Sequence, residues 1–258
     1  MNEKMKKVKC FLLDMDGTIC LDNDVFEGAV DAVERMKKQG RVLFLTNNSS
    51  KTPDGYVDKL NKMGFNVTLD NIYTSAMSAT DYLKTYHAGK KIYLFANKAV
   101  KEEFIRLGIK NEEESPELAV IAFNTEFYYD ELEKLCNFIR EGVPFICTHD
   151  DINCPTVRGS KPDVGSYLAL IEKSTGKKPI AVCGKPYSIM GDCIRSICGL
   201  DSDEIAMFGD RLATDIKFGI NNNFVTTLVL TGEATQSDAE ESGLNIDFML
   251  PSICDWDK

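Results

Sequence analysis

Short apolar runs alternate along this chain with stretches in which apolar positions recur every three or four residues. The runs are FLLD (11–14), RVLFLTNN (41–48), IYTS (72–75), KKIYLFAN (90–97), LAVIAFN (118–124), VPFICTHDD (143–151), PIAVCGKP (179–186), EIAMFGD (204–210) and VTTLVL (225–230). Apolar runs of this length, bounded by turn residues, predict buried strands. Between them the three-to-four spacing predicts helices over 28–38, 53–63, 76–86, 98–107, 129–140, 164–173, 188–198, 213–219 and 237–241. Thr52 followed by Pro53, and Gly40 and Gly64 after the periodic stretches, are the expected start and stop signals.

Strand–helix alternation implies a parallel sheet with helices on both faces. The number of strands is high for one sheet, and the alternation starts afresh near residue 90. The expectation is an α/β protein in two parts: a discontinuous core domain over 1–88 and 179–258, and an inserted α/β domain over 89–178. No Gly/Ser-rich linker marks the edges of the insertion, and no repeat or low-complexity tract occurs.

Composition narrows the function classes. The chain has 258 residues, 43% hydrophobic and 27% charged, with a net charge of -10. That balance argues against non-specific nucleic-acid binding, which needs a basic face. It still permits an anionic small substrate, because a metal and a few local cations can reverse the field inside one cleft. No apolar stretch approaches a membrane span, and the apolar run behind the basic start is broken by Asp14 and Asp16, unlike a signal peptide. Nine scattered cysteines with no C-x-x-C pair suit reduced, mostly buried thiols in a cytoplasmic protein. Two histidines make a histidine-rich zinc site a poor expectation, and neither a P-loop nor a G-x-G-x-x-G signature is present.

In an open parallel sheet, ligands bind beyond the carboxyl ends of the strands. Four expected strand ends carry a related set of polar residues: Asp14 and Asp16; Thr46, Asn47 and Asn48; Lys185; and Gly209-Asp210, with Asp215 five residues on. Carboxylates brought together repel unless a cation lies among them. Hard oxygen ligands without His or Cys suit Mg²⁺. Gly17 lets the chain turn sharply after the first two carboxylates and leaves backbone N–H groups for an anion. Two carboxylates at a spacing of two would share one face of a regular strand, so this turn must splay them apart.

Asp14-Met15-Asp16-Gly17-Thr18, Thr46, Lys185 and Gly209-Asp210 with Asp215, in this order, resemble the four motifs of the haloacid dehalogenase superfamily of phosphohydrolases. TNNSS, PTVRGSKPDVGS, GKP and GDRLATDI look like the NagD-type phosphatases, which carry a large α/β cap of the C2 type between the second and third motifs. The resemblance covers nearly the whole chain and implies a Rossmann-like core with the 89–178 insertion as the cap. It further implies that Asp14 is a nucleophile forming an aspartyl-phosphate and that Asp16 is the general acid and then the base. Mg²⁺ would be held by the Asp14 carboxylate, the Asp16 carbonyl and Asp210, with Asp215 in support; Thr46, the Asn47 amide and Lys185 would hold the phosphoryl oxygens. The implied activity is hydrolysis of small phosphorylated metabolites such as nucleotides or sugar phosphates. A phosphotransferase or mutase on the same scaffold, or a non-catalytic binding module, stays open; intact Asp14, Asp16, Lys185 and Asp210 argue against the last.

The loop after VPFIC is the expected place for substrate selection, since an inserted strand ending in polar residues could face the ligand. His149, Asp151 and Asn153 are its candidates, with His149 equally able to staple the loop; Arg158 and Lys161 lean toward loop structure. Cys20 and Cys154 lie near the expected mouth, but no base beside either suggests a catalytic thiol. Arg211, next to Asp210, is as well explained as a surface charge. Apolar faces of the insertion could pair two copies into a homodimer.

Overall fold

The apolar runs become the middle of two parallel sheets, each within its own unit. The computed structural model describes residues 2–154, 156 and 159–258. One unit comprises the chain up to Thr46, then Pro53–Tyr73 and Lys185–Lys258; the other comprises Asn47–Thr52 and Thr74–Gly184.

The first unit is built on a six-stranded sheet, in the order Phe248–Leu250, Val225–Val229, Ile205–Gly209, Cys10–Leu13, Arg41–Thr46, Ile72–Thr74. Cys10–Leu13 is central and parallel to both neighbours, with Leu13 in register with Phe44 on one side and Phe208 on the other. All four of its residues are buried, as are all five of Ile205–Gly209. Helices cover both faces of such a strand, which is why it reads as unbroken apolar sequence. Helix Ala29–Gln39 turns Ala29, Ala32, Val33 and Met36 into this core, the spacing of an amphipathic helix. Phe11 lies at its centre, 5.1 Å from the Trp256 ring edge-on and 6.1 Å from Phe208. A short antiparallel ribbon, Cys20–Leu21 with Asp24–Val25, follows the first strand.

The second unit holds a five-stranded sheet in the order Ala181–Val182, Phe145–Cys147, Leu118–Ile121, Lys91–Phe95, Lys110–Asn111, and its pairings are parallel. Helices Tyr129–Arg140 and Val164–Thr175 pack on it through Leu135, Phe138, Ile139 and Ile171. Tyr93 and Phe138 meet edge-on at 5.2 Å.

Several element assignments differ from the sequence reading. The division falls at residues 74 and 184, whereas the composition of the elements had suggested 89 and 178. The physical reason is pairing: Ala181–Val182 joins Phe145–Cys147, and Ser78 of helix Ser75–Tyr86 donates a 2.6 Å hydrogen bond to the Cys183 carbonyl. Lys185 therefore follows a strand of the second sheet, not of the first. The expected helix at 213–219 is a π-helical turn, Leu212–Ile216, continued by Lys217–Asn221. Edge strand Phe248–Leu250 and helix Glu3–Lys7 were not anticipated, the first being only partly buried and the second too short to show periodicity. None of the nine cysteines is in a disulfide. Among the described residues, no helix is long and apolar enough to cross a membrane.

Phe11→Ala should destabilise the first unit by about 3–5 kcal/mol, the usual loss for emptying a buried phenylalanine site. Urea denaturation followed by the fluorescence of Trp256, the single tryptophan, measures it directly.

Candidate active site

Asp14 stands one residue past Leu13, and its backbone N–H donates to the Phe208 carbonyl at 2.9 Å. The ladder thus extends to the carboxylate itself, and the Asp14 side chain leaves the sheet where the central strands end. Lys185 comes from far along the chain and places its ammonium between two acids. Its Nζ lies 2.6 Å from Asp14 Oδ1 and 2.6 Å from Asp215 Oδ1. The lysine and Asp215 side chains are 3% and 1% exposed, whereas Asp14 keeps 18%. Asp14 is the member of this group that an incoming molecule can reach.

Asp14, Asp210 and Asp215 each offer a carboxylate oxygen within 4.8 Å of the others, the one such cluster among the described residues. Three carboxylates against one ammonium leave the cluster short of positive charge. Burial pushes the Asp14 carboxyl up to about 8 against the pull of Lys185, with Asp215 and Asp210 adding to the rise. Burial and Asp215 likewise push Asp210 up to about 6. Burial alone would lower Lys185, but Asp14 and Asp215 outweigh it and hold the ammonium above its ordinary value.

Asp210 has one oxygen that finds no donor. Its Oδ2 accepts the Glu233 N–H at 2.7 Å, while Oδ1 is buried with no hydrogen-bond partner. A buried carboxylate oxygen without a donor is costly unless a cation satisfies it. An all-oxygen donor set lacking His and Cys fits a hard divalent ion such as Mg²⁺. The backbone leaves room for this carboxylate: a Cβ on Gly17 would lie 2.2 Å from Asp210 Oδ2, and one on Gly232 would lie 2.0 Å away. Gly17 also has φ +92, which side-chain-bearing residues avoid. Its N–H donates to the Cys20 carbonyl at 2.8 Å, so it is not free for an anion as the turn had suggested. Close approach to Asp210 is what demands glycine there.

Asp16 has contacts of its own beyond the turn. Its side chain is 48% exposed, accepts the Asp22 N–H at 3.1 Å and lies 3.7 Å from the Lys59 ammonium. Thr46 ends its strand and is buried. Arg211 donates its backbone N–H to Asp215 Oδ2 at 3.2 Å, and its guanidinium pairs with Glu233 at 3.1 Å. Lys59 and the Thr231–Glu233 turn were not foreseen. The turn follows Val225–Val229, so the strand-end rule applied to that strand would have found it; Lys59 lies on a helix with no local signal.

The remaining candidates belong to the second unit. Asn47 is buried, and its side-chain amide donates to Asp151 Oδ2 at 3.1 Å. Asn153 is exposed in a two-residue ribbon paired with Lys161–Pro162. Arg158 lies outside the described residues. His149 requires a correction. It has no exposed surface: Nε2 meets Asp163 Oδ1 at 2.9 Å, and Nδ1 meets the Thr148 hydroxyl at 3.0 Å and that of Ser75 at 3.5 Å. Asp163 in turn caps helix Val164–Thr175. With both ring nitrogens engaged inside the unit, His149 staples the loop and offers nothing to a ligand.

His149→Ala should therefore lower stability by about 2–4 kcal/mol, because the buried Asp163 carboxylate loses one of its partners. Relative kcat/KM values across a panel of phosphate esters should stay in the same order. Thermal denaturation and the panel, run side by side, check both halves.

Comparison with known proteins agrees with this geometry. The haloacid dehalogenase-like hydrolase family matches residues 11–110, and a second HAD-hydrolase-like family matches 182–256. An acid sugar phosphatase of Staphylococcus aureus is 32% identical over 243 residues, 93% of either chain. The crystal structure of a 4-nitrophenylphosphatase from Thermotoga maritima superimposes with a TM-score of 0.94 at 38% identity, covering 98% of this chain and 97% of that one. NagD from E. coli K-12 superimposes with a TM-score of 0.89 at 28% identity, covering 96% and 98%. The strand-end carboxylates, the buried lysine and these likenesses over nearly the full length lead to one conclusion: the chain belongs to the haloacid dehalogenase-like hydrolases, in their NagD-type branch.

Proposed function

We propose that this protein is a Mg²⁺-dependent phosphomonoesterase that hydrolyses small phosphorylated metabolites, sugar phosphates foremost, through an aspartyl-phosphate on Asp14. The observation that carries this reading is the Lys185 ammonium held between Asp14 and Asp215 beside the orphaned oxygen of Asp210. The names of the relatives, an acid sugar phosphatase and a 4-nitrophenylphosphatase, support the substrate class. Nine cysteines outside any disulfide and the charge of -10 suit a cytoplasmic enzyme with no nucleic-acid partner.

The carboxylates of Asp14, Asp210 and Asp215, with the Asp16 carbonyl, would hold the metal. When bound, Mg²⁺ supplies charge neutralisation for the cluster and for the phosphoryl oxygens. Lys185 pulls Asp14 toward its ionised form, against burial, and adds positive charge where the phosphoryl group arrives. Thr46 and the Asn47 amide supply donors to its oxygens. An Asp14 oxygen attacks phosphorus as the ester P–O bond breaks, and Asp16 gives its proton to the departing oxygen. Asp16, now a base, takes a proton from water; the hydroxyl oxygen attacks phosphorus, releasing phosphate and restoring Asp14. The exposure of Asp16 suits a group that must meet both leaving group and water. Phosphoryl transfer spreads charge over several oxygens, so holding and neutralising them is most of the catalytic task.

The first test is phosphate release from p-nitrophenyl phosphate and a sugar-phosphate panel. Activity should vanish on chelation and return with Mg²⁺. Asp14→Asn should lose about 10⁴-fold or more in kcat with its Tm nearly unchanged, because an amide cannot form the acyl-phosphate. Retention of a thousandth of wild-type activity beyond deamidation would reject Asp14 as nucleophile.

Asp16→Asn should show a different pattern. Proton transfer contributes about 10²- to 10⁴-fold, and the loss should shrink for an acidic leaving group such as p-nitrophenol. Single-turnover rates of phosphoenzyme formation, compared between aryl and alkyl phosphates, read the difference; equal losses would remove Asp16 as the acid.

A further inference from the structure

Two thiols meet at the other end of the strand that leads to Asp14. Cys10 opens Cys10–Leu13, and Cys198 closes helix Ser188–Cys198. Their sulfurs lie 3.7 Å apart although 188 positions separate them in sequence. That is contact distance; a disulfide needs about 2.05 Å. The remaining approach falls on the last residue of a helix, where the backbone yields most easily.

The two sulfurs differ in the ways that oxidation chemistry requires. Cys198 is partly exposed and Cys10 is buried. Arg41 stands in register with Cys10 on the neighbouring strand, and its guanidinium lies beside Cys198. For Cys10, the hydrogen bond with Cys198 and burial hold the proton on the sulfur. The bond from Cys10 and the Arg41 charge pull Cys198 down to about 7 against the effect of burial. A partly exposed thiol beside a cation is the kind that reacts. By contrast, Cys147 and Cys183, neighbours in the second unit, are both buried, out of reach of a solute oxidant.

We propose that Cys10 and Cys198 form a redox-sensitive dithiol that a peroxide converts into a disulfide, with Cys198 as the attacking sulfur and Cys10 as the resolving one. The Cys198 thiolate attacks one peroxide oxygen and the O–O bond breaks. Cys198 becomes a sulfenic acid, and the departing hydroxide takes a proton and leaves as water. Cys10 gives up its proton and attacks the Cys198 sulfur; the S–S bond forms, the S–O bond breaks, and a second water leaves. The two sulfurs supply both electrons that reduce the peroxide. The bond fastens the helix that follows Lys185 to the strand that precedes Asp14, at ends remote from the carboxylates. It closes a long loop, which constrains the unfolded chain.

The experiment treats the full-length enzyme with hydrogen peroxide and maps its peptides without reduction. A Cys10–Cys198 linked peptide that disappears with dithiothreitol, and is absent in Cys198→Ser, is the expected result. At pH 7 Cys198 should alkylate with iodoacetamide about tenfold faster than Cys193 on the same helix. In Cys10→Ser a hydroxyl donor stays but the resolving sulfur is gone, so dimedone should trap a sulfenic acid at Cys198. Alkylation of Cys198 no faster than Cys193, linkage of other cysteines instead, or oxidation of wild-type Cys198 to the sulfinic acid without a link would each overturn the proposal.

Discussion

The arrangement of the first unit depends on one buried charge, the Lys185 ammonium held at 2.6 Å from Asp14 and from Asp215. A lysine with almost no exposed side chain must have partners, and a carboxylate as enclosed as Asp215 must have one too. Together they are a compensated pair, and Asp14 and Asp210 remain as the surplus. That surplus of negative charge is what makes the place a site and not merely a buried ion pair. A cation placed among these carboxylates would offset that surplus.

Meeting this constraint takes residues from four distant segments, and the sheet register provides the alignment. Leu13, Phe44 and Phe208 lie level across three parallel strands, so Asp14 and Asp210 emerge from neighbouring strands at nearly the same height. Glycine then does what no other residue could. With Cβ positions 2.2 and 2.0 Å from Asp210, Gly17 and Gly232 bring backbone against the carboxylate, and the Glu233 N–H orients it. The orphaned Oδ1 is the direction left open.

The polar network around His149 in the second unit is the opposite case. His149 is bonded to Asp163, Thr148 and Ser75; the Ser49 hydroxyl meets Thr148 at 2.9 Å and accepts the Phe123 N–H at 2.9 Å. Each of these groups finds its partner within the same unit. A satisfied polar network fixes loop geometry, whereas an unsatisfied buried group is costly. Satisfaction, more than residue type, separates His149 from Asp210.

Much of this was legible in the sequence. Central parallel strands are buried on both faces, so FLLD, LFLT and EIAMFGD announce themselves as apolar runs, and the rule that ligands gather at carboxyl ends singles out Asp14, Thr46 and Asp210. Amphipathic spacing sets helices such as Ala29–Gln39 to within a residue or two. What sequence periodicity could not decide was partnership. Nothing local tells the PIAVCG strand to pair with Phe145–Cys147, because its apolar pattern suits either sheet. The role of His149 turned on which atoms surround its ring, Lys59 came to Asp16 from a helix more than forty residues away, and the Cys10–Cys198 contact spans most of the chain. Local patterns record how each segment is buried; which distant groups share one buried volume is settled only when the chain closes and every enclosed charge must find its counterpart.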